Sequence, residues 1–218
     1  MGLNSNIIYA VVARGTLVLT EYATASGNFI TVSRVILEKI ANQNNIKMSY
    51  LYDRFTFHYM TAGGLTYLCM ADESFPKRIA FSFLADTQRR FEAAYRPDVI
   101  QRAVAFQMNE DFCRTLANQM TYYSKDPAAD KLSQVRAQVD ETKGIMVENI
   151  DKLMDRGERI ELLVEKTNDL DQQAYTFQTE AKKMKWKAWL NNFKWYIIGG
   201  SVVALIILIT IISIWVSV

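Results

Sequence analysis

The 218-residue sequence has few side chains that could form a metal site or a nucleophilic site. It contains one histidine, His58, and two cysteines, Cys69 and Cys113. Neither cysteine has another Cys or His at the spacing of zinc ligands. His58 stands between aromatic residues in an alternating, strand-like run, which favours a structural role over that of a catalytic base. The glycine-containing turns also lack the lysine and helix start of a phosphate-binding loop. We therefore expect no enzyme activity, no metal and no cofactor.

The sequence also lacks a strong charge of either sign and a secretion signal. The formal net charge is +2, which gives no reason to expect a nucleic-acid partner. The first residues, MGLNSN, do not lead into the cleavable apolar run of a signal peptide. Gly2 suggests myristoylation, but Asn6 stands where that motif has Ser or Thr. Both cysteines lie in apolar contexts that suit reduced thiols, so we expect the bulk of the chain to face the cytosol.

A long uncharged run occupies residues 196–218, YIIGGSVVALIILITIISIWVSV. About 20 such residues span a bilayer as a helix, so the run predicts a transmembrane anchor. Before it lies a collar of lysines and tryptophans, centred on residues 186–195, that suits the lipid interface. The collar residues are Lys182, Lys183, Lys185, Trp186, Lys187, Trp189, Lys194 and Trp195. Because the positive flank of a membrane helix stays cytosolic and no polar tail follows, we expect a tail-anchored protein.

Residues 131–185 follow a heptad pattern without a change of register, which predicts a coiled-coil helix. The seam positions are Leu132, Val135, Val139, Thr142, Met146, Asn149, Leu153, Arg156, Ile160, Leu163, Thr167, Leu170, Ala174, Phe177, Ala181 and Met184. The alternative is a long amphipathic helix packed on a globular domain, which would have a wider apolar face. Asp126 and Pro127 suit the start of the helix, and residues 122–130 are predicted to be a linker.

Arg156 is a charged residue in the middle of this mostly apolar seam. Burying a guanidinium is costly unless its donors are met, and neutral amides such as glutamine can accept from it without adding a charge. One polar layer also sets the register of a helical bundle. Gly144 and Gly157 each cost roughly 1 kcal/mol in a helix, and several seam residues are small or polar. A single helix of this motif is therefore expected to be weakly formed and to need partners.

The stretch AQVDETKGIMVENIDKLMDRGERIELLVEKT resembles the SNARE motif of R-type SNAREs, the vesicle-associated membrane proteins. In that family the central arginine, here Arg156, pairs with three glutamines from partner helices. Upstream runs are similar to the longin domain of the vesicle-associated membrane protein 7 subfamily, with the nearest likeness to its plant and protist members. These runs are YAVVARGT, GNF, FHY, LCMADE, FSFL, QRRFEAAY and MNEDF.

Residues 1–121 show strand and helix signals in the order strand, strand, helix, three strands and two helices. This order predicts an α+β domain with a five-stranded antiparallel sheet and three helices. The resemblance implies the same longin, or profilin-like, arrangement. It also implies that the domain folds back and holds the SNARE segment in a groove between its first helix and its third strand, KMSYLYD. Met48 and Tyr50 alternate onto one face of that strand and are candidates to line the groove, or simply to complete the core.

The function that the resemblance implies is intracellular membrane fusion, in which the motif zips with three Q-SNARE helices, a syntaxin-like Qa helix with Qb and Qc helices. The other implied partners are the SNARE disassembly ATPase with its adaptor, tethering or Sec1/Munc18-like proteins, coat adaptors that bind the longin domain, and membrane lipid. The implied sites are late endosomes, lysosomes or vacuoles and their transport vesicles. The alternative is a tail-anchored tether or scaffold that does not drive fusion, although such a seam would gain nothing from a buried arginine.

Overall fold

The computed structural model describes residues 6–125, 144–154 and 161–165. All of them fall within one compact unit, Met1–Ala174. The predicted order of strands and helices in the amino-terminal part is confirmed, with a short strand and a short helix added. The strands of this part are β1 (Ile7–Arg14), β2 (Leu17–Ala23), β3 (Ser26–Gly27), β4 (Lys47–Tyr52), β5 (Phe55–Ala62) and β6 (Leu65–Asp72).

Glycine turns connect two pairs of antiparallel neighbours in the sheet. Gly15, with φ of 56°, joins β1 to β2, and Gly63 and Gly64, with φ of 59° and 77°, join β5 to β6. A positive φ is strained for most residues but not for glycine, which is why the ends of these strands can turn so tightly. The strand order is β2-β1-β6-β5-β4, with every neighbouring pair antiparallel.

Four helices accompany these strands in residues 6–125: α1 (Phe29–Ile40), α2 (Lys77–Ala94), α3 (Pro97–Arg102) and α4 (Asn109–Lys125). The short helix α3 was not predicted, because six residues are too few for a clear apolar periodicity. Pro97 at its first position begins it. Helix α4 continues to Lys125, so it extends into the stretch for which a linker is predicted.

The helices cover both faces of the sheet. On β1, Ala10 and Val12 belong to one apolar cluster with residues of α2 and α4. Tyr9, which alternates with them, instead packs its ring against Phe29 of α1, with the centroids 5.4 Å apart. Helix α1 therefore lies on one face and α2 and α4 on the other. Strands with both faces covered read as nearly continuous apolar runs, as IIYAVVAR does.

Each edge of the sheet is covered by other parts of the chain. At the β2 edge, the amides of Phe106 and Met108 donate to the carbonyls of Val18 and Leu19. Strand β7 (Val147–Asn149) covers the opposite edge, where it pairs in parallel with β4. Covering both edges removes unpaired backbone groups that would otherwise invite another strand.

This sixth strand corrects two expectations about the fold. The main sheet has six strands rather than five, and it is mixed rather than antiparallel, since β7 runs parallel to β4. The strand belongs to the predicted coiled-coil motif, so the described parts of that motif are not α-helical here. They form β7, a 3₁₀ turn at Ile150–Lys152, and β8 (Val164–Glu165), which pairs with β3. The physical reason is that a lone heptad helix has no partner for its apolar seam, whereas the β4 edge offers backbone hydrogen bonds.

The predicted membrane anchor stays a prediction. Among residues 6–125, 144–154 and 161–165, no helix is both long and apolar enough to cross a bilayer. The anchor at 196–218 and the collar before it lie outside the described residues.

Candidate functional site

The β4 edge holds the first described piece of the heptad motif. The amide of Ser49 donates to the carbonyl of Met146 over 3.1 Å. The register then places Tyr50 opposite Glu148 and Leu51 opposite Asn149. These are backbone contacts of a sheet, so the piece binds as an added strand.

Apolar side chains anchor this piece on both sides of β7. Ile145 is buried in the cluster formed with α2 and α4. Ile150, in the 3₁₀ turn, is only 1% exposed, and Met154 is also buried. The ammonium group of Lys77, at the start of α2, donates to the carbonyl of Ile145 over 2.8 Å. Burying such side chains contributes about 1.5 to 3 kcal/mol each, which is enough to hold a short strand in place.

A second piece of the motif lies against the corner between β3 and α1. Gly27 pairs with Val164 and Ser26 pairs with Glu165, in antiparallel orientation. Leu162, just before β8, is buried. The two pieces therefore contact different parts of the amino-terminal domain, and Arg156 falls in the sequence between them.

The residues that anchor the motif are not its predicted seam residues. Met146 and Leu163 are each 57% exposed, Asn149 is exposed and Leu153 is half-buried. The buried residues are their immediate neighbours Ile145, Ile150, Met154 and Leu162. These four residues were not predicted, because the heptad pattern points to the seam alone. Their signal is visible in the sequence, because they are large apolar residues at positions that a heptad helix would leave outside its seam.

Met48 and Tyr50, the groove candidates, both lie on the strand that binds the motif. Tyr50 is buried and stacks on Tyr59, with ring centroids 5.9 Å apart and planes 14° apart. Met48 is half-buried, and its sulfur accepts from the Tyr59 hydroxyl over 3.7 Å. Burial raises the pKa of Tyr50 and of Tyr59, so both phenols stay neutral at physiological pH. Tyr50 therefore also belongs to the core, whereas Met48 is only partly buried, and the role of both in a groove stays a prediction.

His58 is a buried, uncharged histidine under the same edge. Its Nδ1 lies 2.7 Å from the hydroxyl of Ser49, the residue whose amide holds Met146, and its ring packs edge-on to Phe81. Burial, together with the charge of Lys77, lowers the pKa of His58 to about 3. A histidine that is neutral across the physiological range and only 3% exposed is suited to structure rather than proton transfer.

The described part of the chain contains no group of three or more His, Cys, Asp or Glu residues that could hold a metal ion. Cys69 is buried, Cys113 is half-buried, and both are free thiols. Burial raises the pKa of both thiols, which disfavours the reactive thiolate.

Most of the predicted seam lies outside the described residues, as does the whole of the collar. The seam positions outside are Leu132, Val135, Val139, Thr142, Arg156, Ile160, Thr167, Leu170, Ala174, Phe177, Ala181 and Met184. Their predicted roles stay predictions.

Comparison with known families identifies both parts of the chain. A family model described as synaptobrevin matches residues 131–211, and one described as a regulated-SNARE-like longin domain matches residues 19–116. The first match contains the predicted heptads and Arg156, and the second contains most of the sheet and helices described above.

Individual relatives match over almost the whole length. Vesicle-associated membrane protein 7B of Dictyostelium discoideum is 45% identical over 208 residues, which is 95% of this chain and 79% of that protein. Vesicle-associated membrane protein 711 of Arabidopsis thaliana is 43% identical over 188 residues, 86% of this chain and 85% of that protein. Human vesicle-associated membrane protein 7 is 39% identical over 212 residues, 97% of this chain and 92% of that protein.

Proposed function

The chain belongs to the vesicle-associated membrane protein 7 family of longin R-SNAREs. We therefore propose how its SNARE motif and its longin domain act together in membrane fusion. The SNARE motif assembles with other SNARE helices, and this assembly drives fusion. The longin domain holds parts of the same motif as strands until those helices arrive. No bond is made or broken, so the protein is not an enzyme.

The observation that carries this proposal is the pairing of Val147–Asn149 with the β4 edge. A backbone group that bonds across a sheet cannot also bond within a helix. The form in which the longin domain holds the motif, which we call the closed form, and the helical bundle therefore exclude each other at these residues. The exposed seam residues Met146 and Leu163 are accessible to a partner helix in the closed form. Partner helices can therefore make first contact before the strand is released.

Arg156 would form the central polar layer of the bundle. The guanidinium has five donors, and three glutamine side chains from a Qa, a Qb and a Qc helix can accept from it without a second buried charge. Replacing Arg156 with Leu would remove the cost of burying a charge but leave the partner amides unpaired. We expect Arg156→Leu to permit assembly and to impair partner choice or disassembly by the dedicated ATPase and its adaptor.

The carboxyl-terminal part would link zipping to the membrane. The predicted seam ends at Met184, close to the collar at 186–195 and the anchor at 196–218. A helix that zips towards the collar brings the two bilayers together, while the lysines bind anionic lipid. We place the protein on transport vesicles and on late endosomes, lysosomes or vacuoles, and we expect tethering or Sec1/Munc18-like proteins and coat adaptors among its partners. The resemblance to longin R-SNAREs supports these assignments.

A reconstitution of the bundle tests the proposal. Residues 1–185 are mixed with three Q-SNARE helices, and the melting temperature of the product is measured by circular dichroism. We expect a helical complex that resists heat, and we expect Leu163→Asp to prevent it, because a carboxylate in an apolar layer lacks a partner.

Val147→Asp is the matched control for that substitution. Val147 is an equally exposed apolar residue of the same motif that lies outside the predicted seam. The control should assemble like the natural sequence. If the natural chain forms no complex with any set of Q-SNARE helices, the protein is better described as a tether or scaffold.

A further inference from the structure

Asn28 stands immediately before α1, at the position where an asparagine side chain usually caps the helix. Here its side chain makes no capping hydrogen bond. Instead, both ends of the side-chain amide bond to the second piece of the SNARE motif. The side-chain nitrogen donates to the carbonyl of Glu161 over 2.7 Å, and the side-chain oxygen accepts from the amide of Leu163 over 2.8 Å.

The backbone at this corner completes the contact. The amide of Asn28 donates to the carbonyl of Leu163 over 3.2 Å. A β-carbon added to Gly27 would lie 2.1 Å from the same carbonyl oxygen, so a residue with a side chain cannot stand there while the strand is bound. The close approach of β8 therefore depends on the absence of a side chain at Gly27.

We propose that Gly27 and Asn28 form a second binding site of the longin domain, one whose ligand is extended polypeptide backbone and whose occupant is residues 161–165 of this chain. We call it the Asn28 clamp. Its hydrogen bonds all go to backbone groups, so its hold depends little on which side chains the occupant carries. The inference rests on the proposed function, and it adds a second, separate hold to the one at the β4 edge.

The position of the clamp gives it a distinct role. The β4 edge holds residues before Arg156, and the clamp holds residues after it. If the bundle zips from Leu132 towards Met184, it removes the motif from the β4 edge first, while the clamp still holds Leu163. The clamp thus restrains the half of the motif that lies nearer the membrane. On release, Asn28 becomes able to cap α1, so the helix gains a contact as the motif leaves.

Hydrogen exchange in the full-length protein in detergent tests the clamp through two amides. Leu163 reports on the clamp, and Ser49, whose amide bonds to Met146, reports on the β4 edge. The variant is Asn28→Ser, because serine caps helices well but cannot reach both Glu161 and Leu163. We expect exchange at Leu163 to rise about tenfold or more, as the loss of two hydrogen bonds implies, with Ser49 unchanged.

Asn118→Ser is the matched control, since Asn118 is an exposed asparagine on a different helix, α4. It should leave both amides unchanged. Asn28→Asp is the second variant. Aspartate can still cap the helix and accept from the amide of Leu163, but it sets a carboxylate against the carbonyl of Glu161. We therefore expect exchange at Leu163 to rise in this variant as well. Its thermal melt shows whether the domain remains folded.

Three results would overturn the proposal. Unchanged exchange at Leu163 in both variants would mean that the clamp holds nothing. An equal rise at Ser49 would mean that the motif is released as one unit, without a separate site. If the longin domain is unfolded at room temperature in both variants, Asn28 is needed for the fold of the domain and not for a separate site. None of these readouts requires Q-SNARE helices, so they stand whether or not the bundle forms in the reconstitution described above.

Discussion

At the residue scale, Ile150 and Leu163 belong to one motif but differ in what they contact. Ile150 is buried in the closed form, whereas Leu163 is mostly exposed and belongs to the predicted bundle seam. The closed form and the predicted bundle therefore use neighbouring but different side chains. This separation makes it possible to weaken one state without the other.

Ile150→Ser should release the motif from the β4 edge and spare the bundle. Removing the buried side chain costs the closed form about 1.5 to 3 kcal/mol, while the seam of the bundle keeps all its apolar residues. Exchange at the Ser49 amide should rise and assembly with Q-SNARE helices should become faster, at an unchanged melting temperature of the complex. A drop in that melting temperature as large as the one for Leu163→Asp would show that the two faces are not separate.

His58 predicts a dependence of domain stability on pH. Its pKa is about 3 in the folded protein, well below the usual value of about 6.5 for the unfolded chain. Between these values the unfolded chain binds the extra proton, so the free energy of unfolding falls as pH falls below about 6.5. From pH 7 to 5.5 the loss from this one group should be about 1 kcal/mol.

Urea unfolding of the natural protein and of His58→Asn at both pH values measures the contribution of His58 to the free energy of unfolding. Asparagine keeps a polar group near Ser49 but does not titrate. The variant should lose about 1 kcal/mol less stability between the two pH values than the natural protein. Equal losses would mean that His58 is not buried in its neutral form.

At the scale of elements, β4 is the strand on which the closed form depends. It pairs with β5 on one side and with β7 on the other. When β7 leaves, β4 becomes an unpaired edge, while the β2 edge stays covered by the loop that holds Phe106 and Met108. Of the two edges, the β4 edge is thus the one at which we expect strands to exchange.

Changing Met48 and Tyr50 to Ser should loosen this edge. The double change removes the stack on Tyr59 and the sulfur contact with its hydroxyl, so β4 holds β7 less firmly. Exchange along residues 145–154 should rise and partner binding should become faster. Tyr122→Ser, at an exposed tyrosine of α4, is the control. If the double variant unfolds the domain or leaves exchange unchanged, the two residues serve the core alone.

At the scale of the whole molecule, the proposed anchor decides whether assembly of the bundle brings two bilayers together. A chain without residues 196–218 retains the motif and the longin domain. It should bind the same Q-SNARE helices and occupy them without pulling on a bilayer. In a liposome fusion assay, adding this fragment should lower the rate of lipid mixing as its concentration rises. Full lipid mixing at saturating fragment would contradict the mechanism.

Much of the fold could be predicted because its signals are local. Short runs rich in β-branched and aromatic residues marked β1, β5 and β6, and apolar residues such as Val32, Ile36 and Ile40 marked α1 at helical spacing. The heptads and the family resemblance likewise follow from spacing along the chain. The candidate site was only partly predictable: the family resemblance implied a groove beside β4, but Ile150 and the other anchoring residues were missed.

The sequence by itself determined the order of elements in the longin domain and the membership of the chain in its family, because both follow from residue patterns that need no distant partner. Only the tertiary structure decided that Val147–Asn149 and Val164–Glu165 are strands, since their conformation depends on edges that lie far away in the chain. The same residues have a helical heptad pattern, and an isolated helix with an unpaired seam is weak. The backbone of these residues therefore pairs with strands β4 and β3 of its own domain.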